Sequence, residues 1–275
     1  MPLTPVSELI AAARPGGLGA FNVITLEHAE AIAAAAESAK RPAVLQLSEN
    51  TASYHGGLAP LALACLRIAA DSAARIAVHL DHATDPELIR AAVDLGVRSI
   101  MYDGSTLDYA ANVAATADIT RWCHARDVHV EAELGEVGGK DGAHAPGVRT
   151  DPDEAVEFVA ATGVDALAVA VGSSHAMHTR TAALDDELIA HLAAKVPVPL
   201  VLHGSSGVPD EGLRAAVEHG IAKVNIATRL NVLMTEAIRG TLADAPGLSD
   251  PRKYLTPARA AVQAEVERFL RLLAG

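Results

Sequence analysis

The 275-residue chain sets 22 Lys and Arg against 34 Asp and Glu, a formal charge of −12 with no basic block, which argues against nucleic acid and anionic membrane as partners. Half the residues are hydrophobic but only 3% aromatic, so the apolar mass is Ala, Val, Leu and Ile, the mixture that fills parallel strands and the helices covering them. There is no run of apolar residues long enough to span a bilayer, and Met1-Pro2-Leu3-Thr4-Pro5 lacks the pattern of a secretory signal, so a cytoplasmic location is expected.

Short β-rich runs alternate with longer Ala-rich stretches of helical period, which predicts repeated βα units around a parallel sheet. Strands are expected over 19–24, 42–48, 75–82, 99–105, 129–135, 166–171, 199–204 and 223–228. Helices are expected over 27–40, 86–95, 108–126, 151–162, 186–195 and 209–219, several opening on Asp or Pro, and a further helix over 257–273 ends the chain. Cys65 and Cys123 fall in helical stretches and read as small buried hydrophobes. The one long aperiodic stretch, 136–149, is rich in Gly, holds Lys140, Asp141 and His144, and has the character of a lid. Eight strands with eight crossovers close into a single α/β domain over 1–275, a (β/α)8 TIM barrel with an additional C-terminal helix; a doubly wound open sheet is the competing topology.

Polar residues favour the barrel. Asn22, Ser48, Asp81 with His82, Asp103 with Ser105, Glu133, His175, His203 and Asn225 stand towards the C-terminal ends of successive strands, and the strand beginnings carry nothing comparable. Barrel enzymes build their sites at that end. Of 12 histidines, those on helical stretches read as solvated or capping, and His79 and His129 as structural strand residues. His82, His175 and His203 follow the third, sixth and seventh strands, whose ends meet at one mouth; three imidazoles with an open fourth position suit a catalytic zinc. His178 is an alternative ligand or a loop residue.

These segments resemble the class II, metal-dependent fructose-bisphosphate and tagatose-bisphosphate aldolases from about Ala20 to about Leu272. The resemblance rests on Ala20-Phe21-Asn22-Val23, His79-Leu80-Asp81-His82, Met101-Tyr102-Asp103-Gly104-Ser105, Val130-Glu131-Ala132-Glu133-Leu134-Gly135, Val171-Gly172-Ser173-Ser174-His175, Val201-Leu202-His203-Gly204-Ser205-Ser206 and Lys223-Val224-Asn225-Ile226-Ala227-Thr228. It implies that His82, His175 and His203 hold one catalytic Zn²⁺, that Glu133 lies near an alternate metal position, and that Asp81 is the acid–base residue. It further implies that Gly204, Ser205, Ser206, Asn225, Ala227 and Thr228 cradle the phosphate of dihydroxyacetone phosphate, with Na⁺ or K⁺ as a helper, and that Asn22 and Ser48 line the substrate site. Family members place a glutamate in the loop after the fifth strand as base at the dihydroxyacetone phosphate carbon; here Asp141 is expected in that role. Arg252, in Asp250-Pro251-Arg252-Lys253-Tyr254, is expected to bind a second phosphate across a subunit boundary, since relatives are dimers or tetramers.

Two departures stand out. Ala176 follows His175 where the family has Gly, and Arg180 is the nearest substitute for a Lys that some relatives place a few residues after that histidine. A Schiff-base route has no placed amine, since Lys223 begins its strand and Lys40, Lys140, Lys195 and Lys253 lie on helices or loops. The function implied is cleavage of a ketose bisphosphate, with another phosphorylated keto-sugar or sugar acid, and a non-catalytic sugar-phosphate binder, as the competing readings.

Overall fold

A computed structural model describes residues 4–135, 148–175, 177 and 179–275. The eight strands are β1 (Leu18–Asn22), β2 (Ala43–Ser48), β3 (Ile76–Ala83), β4 (Ser99–Tyr102), β5 (His129–Leu134), β6 (Ala166–Val169), β7 (Leu200–Leu202) and β8 (Ile221–Ile226). Each pairs in parallel with its neighbours in chain order, and β8 returns to β1, so the sheet is a closed barrel rather than an open one. The expected strands overlap all eight but overrun the C-terminal ends of six, the fourth to 105 against an observed Tyr102, where Asp103 to Ser105 are already loop.

Helices α1 (Val6–Ala13), α2 (Leu26–Ala39), α3 (Glu49–Tyr54), α4 (Ala59–Asp71), α5 (Pro86–Leu95), α6 (Tyr109–His124), α7 (Pro152–Thr162), α8 (Asp186–Lys195), α9 (Asp210–His219), α10 (Thr228–Asp244) and α11 (Pro251–Leu272) surround it. Their limits are written in local chemistry. Asp85 and Asp151 accept first-turn N–H groups, Pro86 and Pro152 supply a preset φ at the first helical position, and Gly96 and Gly163 end the same helices at φ 105° and 70°. The same Asp-Pro start at Asp250-Pro251 opens α11, which corrects the start expected at Pro257; that proline lies inside the helix. None of the helices among the described residues is long and apolar enough to cross a membrane.

The main core lies between sheet and helices, and α11 closes it over α2 and α10 with Val262, Val266 and Phe269 fully buried. Inside the barrel, α1 plugs the end where strands begin, packing Val6, Leu9, Ile10 and Ala13 on Leu18, Ala20, Val44, Ala77 and Ala222. Above the plug, Met101, Ala166, Ala168 and Val201 form a small apolar cluster. That level is not wholly apolar. His79, Ser99, Glu131 and Lys223 are buried too.

Candidate active site and metal centre

The mouth of the barrel depends on an irregularity in β3. Successive residues of a strand face opposite sides, so Asp81 and His82 could not both serve the mouth from a regular ladder. Between Leu80 and Ala83 the register against β4 shifts, and His82 adopts φ 50°. The bulge brings both neighbours to the site, at a backbone cost of about 1–2 kcal/mol for a non-Gly residue in that region.

His82 Nδ1 lies 2.7 Å from Asp103 Oδ2, and Asp103 Oδ1 accepts the Ser105 hydroxyl at 2.6 Å. His82 Nε2 is thereby turned to the barrel axis, where it stands 2.9 Å from His203 Nδ1. The other His203 nitrogen, Nε2, is 3.0 Å from Glu131 Oε1. Glu133 Oε2 comes within 3.5 Å of His203 Nδ1, and the His175 ring lies 5.1 Å from that of His82 and 5.8 Å from that of His203. One ligand atom from each of His82, Glu133, His175 and His203 lies within 4.8 Å of all the others, the one such group among the described residues.

The donor set fits a metal. A carboxylate behind each ring, Asp103 behind His82 and Glu131 behind His203, requires the N–H on that side, so the two nitrogens that face each other at 2.9 Å both present lone pairs. Facing lone pairs need a shared proton or cation. Three imidazoles and a carboxylate are ligands of the kind zinc takes.

Asp81, buried beside the cluster, accepts the Asn22 amide N–H at 3.2 Å, and Asn22 Oδ1 in turn accepts from Gln46 Nε2 at 3.1 Å. Burial alone would raise the Asp81 carboxyl, but the imidazoles of His82, His203 and His79, once protonated, and the Lys223 ammonium outweigh it and hold the group well below the usual carboxylate range. Asp81 is therefore held as a carboxylate. Gln46 is a support that sequence reading missed; a glutamine in an otherwise apolar strand, Ala43-Val44-Leu45-Gln46-Leu47, was the available signal.

A cavity of about 600 Å³ opens over Asp81, His82 and His175. From the sequence-derived set its walls also hold Asn22, Ser48, Gly204, Ser205, Ser206, Asn225, Ala227 and Thr228, and the structure adds Glu49, Asn50, Thr84 and Ser174. Glu49 is fixed by the Thr84 N–H at 2.6 Å. On the far wall the turn Ser205–Gly207 meets the start of α10, whose cap residue Ala227 offers no side-chain acceptor. Ser206 Oγ accepts the Arg229 N–H at 3.2 Å, joining the two. A helix start whose own cap residue brings no side-chain acceptor, beside a Gly-Ser turn, is a ready place for an anion, which is how an acidic chain can hold a phosphate. Gly204, at φ 66°, lets the turn approach: a Cβ there would come within 2.6 Å of the Ser174 carbonyl carbon.

A separate recess of about 710 Å³ at the opposite barrel end, lined by Arg98, His124, His129 and Asp165 among others, contains no such ligand group among the described residues. Arg252 is not brought to the mouth: its side chain is 89% exposed and forks onto Asp250. Arg180 is held by the Val208 carbonyl and Asp210. Lys223 is fully buried against Glu131 at 2.7 Å, a tethered ammonium rather than an amine facing the cavity. Lys140, Asp141, His144, Ala176 and His178 lie outside the described residues.

Comparison with known proteins agrees over the whole length. The fructose-bisphosphate aldolase class-II family model matches residues 5–275. A curated fructose-bisphosphate aldolase of Geobacillus stearothermophilus is 38% identical over 272 residues, 97% of this chain and 95% of that protein. Among solved structures, the YdjI aldolase of Escherichia coli K12 superposes with a TM-score of 0.86 at 29% identity, over 98% of this chain and 97% of that one. A putative fructose-1,6-bisphosphate aldolase of Coccidioides immitis gives 0.87 at 32%, over 97% and 95%. The match spans every strand end that carries a site residue, and the chain belongs to the class II fructose-bisphosphate aldolase family.

Proposed function

We propose that this chain reversibly cleaves a ketose 1,6-bisphosphate, fructose first and tagatose second, to dihydroxyacetone phosphate and glyceraldehyde 3-phosphate. His82, His175 and His203 hold one zinc, with Glu133 as the alternate ligand. The reading is supported above all by the convergence of four ligand atoms within 4.8 Å beside the ionised Asp81. When bound there, zinc supplies Lewis-acid polarisation of the ketose carbonyl.

The residues of the chain then divide the work. Gly204, Ser205, Ser206, Asn225, Ala227 and Thr228 bind the phosphate of the dihydroxyacetone half, with Na⁺ or K⁺ beside it, and so fix the ketose along the cavity. Asn22 and Ser48 line its hydroxyl groups. Asp81, steadied by Asn22, takes the proton of the hydroxyl on the departing carbon as the carbon–carbon bond breaks and its electrons pass to the enolate; in synthesis it returns that proton. Asp141 exchanges the proton at the dihydroxyacetone phosphate carbon. Arg252 of a neighbouring copy reaches the second phosphate, which makes the working form a homodimer or homotetramer, in the cytoplasm.

Among the described residues no Lys or Arg lines the cavity, and this favours a second reading, a phosphorylated keto-sugar whose aldehyde half carries no phosphate. A coupled assay with a panel of ketose phosphates, run before and after chelation, decides. Turnover of fructose 1,6-bisphosphate that is lost with the metal and restored by zinc is expected, together with loss of zinc from His203→Ala. Activity that survives thorough metal removal, or full zinc content in His203→Ala, would overturn the assignment.

A further inference from the structure

Glu131 stands one level below the metal ligands and joins two partners that no sequence motif connects. Its Oε1 is 3.0 Å from His203 Nε2 and its Oε2 is 2.7 Å from Lys223 Nζ, with all three side chains at most 1% exposed. The strands involved, β5, β7 and β8, include the non-adjacent pair β5 and β8, so the contact crosses the barrel interior. An ion pair serving the core alone would be complete with Lys223. The third contact, to an imidazole whose other nitrogen looks into the metal group, makes the pair directional.

We propose that Glu131 and Lys223 are a positioning pair for the metal centre: Lys223 fixes the carboxylate, and the carboxylate fixes the His203 ring in the tautomer that presents the Nδ1 lone pair to the site. The inference rests on the metal reading above and goes beyond it. A carboxylate against an ammonium can only accept, so the proton of His203 belongs on Nε2 and cannot migrate to Nδ1 without leaving Nε2 and Glu131 as two opposed acceptors. Lys223 also cancels the carboxylate's charge, so the device sets geometry and ligand basicity without adding an anion beneath the metal. Asn225 Nδ2 lies 3.0 Å from the same Nε2 and donates to Asp81 Oδ1 at 3.5 Å. His82 receives parallel treatment from Asp103 at 2.7 Å, whose other oxygen accepts the Ser105 hydroxyl.

The test uses the metal-free full chain with ¹⁵N-labelled histidine. Long-range proton–nitrogen correlation is expected to show His203 as the Nε2–H tautomer in wild type. In Glu131→Gln/Lys223→Met, which removes both charges together, the tautomers are expected to mix. Zinc affinity, read by competition with a chromophoric chelator, is expected to fall by about 10–100-fold, the usual effect of removing a group behind a ligand. The double variant keeps the core neutral and so separates positioning from folding; its thermal midpoint is recorded alongside. Wild-type His203 carrying its proton on Nδ1 overturns the proposal even if no variant folds. A folded double variant that binds zinc as tightly as wild type overturns it while leaving the metal assignment intact, whereas wild type that binds no zinc overturns both.

Discussion

His79, Glu131 and Lys223 lie two residues before Asp81, Glu133 and Asn225 on the same three strands, so the barrel holds two storeys of polar side chains built on one set of backbones. The lower storey pairs mainly within itself, although Glu131 also reaches His203 above it and His79 Nε2 meets no hydrogen-bond partner. Glu131 meets Lys223 at 2.7 Å and His79 Nδ1 meets Ser99 Oγ at 2.8 Å, with the apolar plug of α1 beneath. The upper storey opens onto the cavity or onto the histidine group, and there lone pairs face lone pairs. Buried polar residues therefore do not mark a site by themselves. What marks it is valence pointed at a shared empty point, where a ligand rather than the protein completes it.

The sharpest way to break this comparison is to exchange the consequences of mutation between the storeys. Lys223→Met leaves Glu131 buried without its counter-charge, and about 3–5 kcal/mol of unfolding free energy should be lost, measured by urea denaturation of the metal-free protein. A loss under about 1 kcal/mol would mean that the lower storey is not held by its ion pair. In the upper storey Asp81→Ala should lower kcat by at least about a hundredfold with zinc content unchanged. Wild-type turnover in that variant would remove Asp81 from the chemistry.

How much of this was legible in the sequence follows the same division. The upper storey could be read because its residues collect at strand ends and match an ordered set of motifs. In the lower storey His79 was read as a structural residue, but its ion pair was invisible: Glu131 and Lys223 are 92 positions apart, and nothing short of barrel closure says that they touch. Lys223 could be excluded as a nucleophile from the sequence, but not recognised as an ion-pair partner. The bulge that turns Asp81 and His82 to one mouth was equally hidden, since a period-two reading sends adjacent residues to opposite faces. At the last helix, Pro257 looked like a start because proline usually is one; the stronger signal was Asp250, whose carboxylate accepts the Arg252 N–H at 3.0 Å.

A middle-sized effect should separate the storeys by pH. Burial, with the Lys223 ammonium, lowers His79 from 6.5 to about 3 against the opposing pull of Glu131 and Asp81, so it is neutral in the folded chain. Between those values the unfolded chain binds one proton more, and stability must fall as pH falls through 6.5 towards 3. By pH 5 this single group should cost about 2 kcal/mol. His79→Asn keeps a polar atom where Nδ1 meets Ser99; it should be less stable at pH 7, yet its stability should drop about 2 kcal/mol less than that of wild type between pH 7 and 5, read from denaturation midpoints. An unchanged acid slope would show that His79 is not the buried neutral group described.

The smallest expected effect tests whether the far wall of the upper storey is shaped for a phosphate. Gly204 sits at φ 66°, and an added Cβ would come within 2.6 Å of both the carbonyl carbon and oxygen of Ser174. Gly204→Ala must therefore strain its own backbone and push Ser174, the neighbour of His175, away from the Ser205–Gly207 turn. Because the turn and the start of α10 are joined through Ser206 and Arg229, the displacement should reach the N–H groups proposed to hold the phosphate before it reaches the histidine group. KM for the phosphorylated ketose should then rise about tenfold, equivalent to about 1.4 kcal/mol, while kcat and zinc content stay near wild type. A fall in kcat at unchanged KM would mean instead that the close packing of Gly204 on Ser174 serves His175 and the metal, and that the phosphate is held elsewhere.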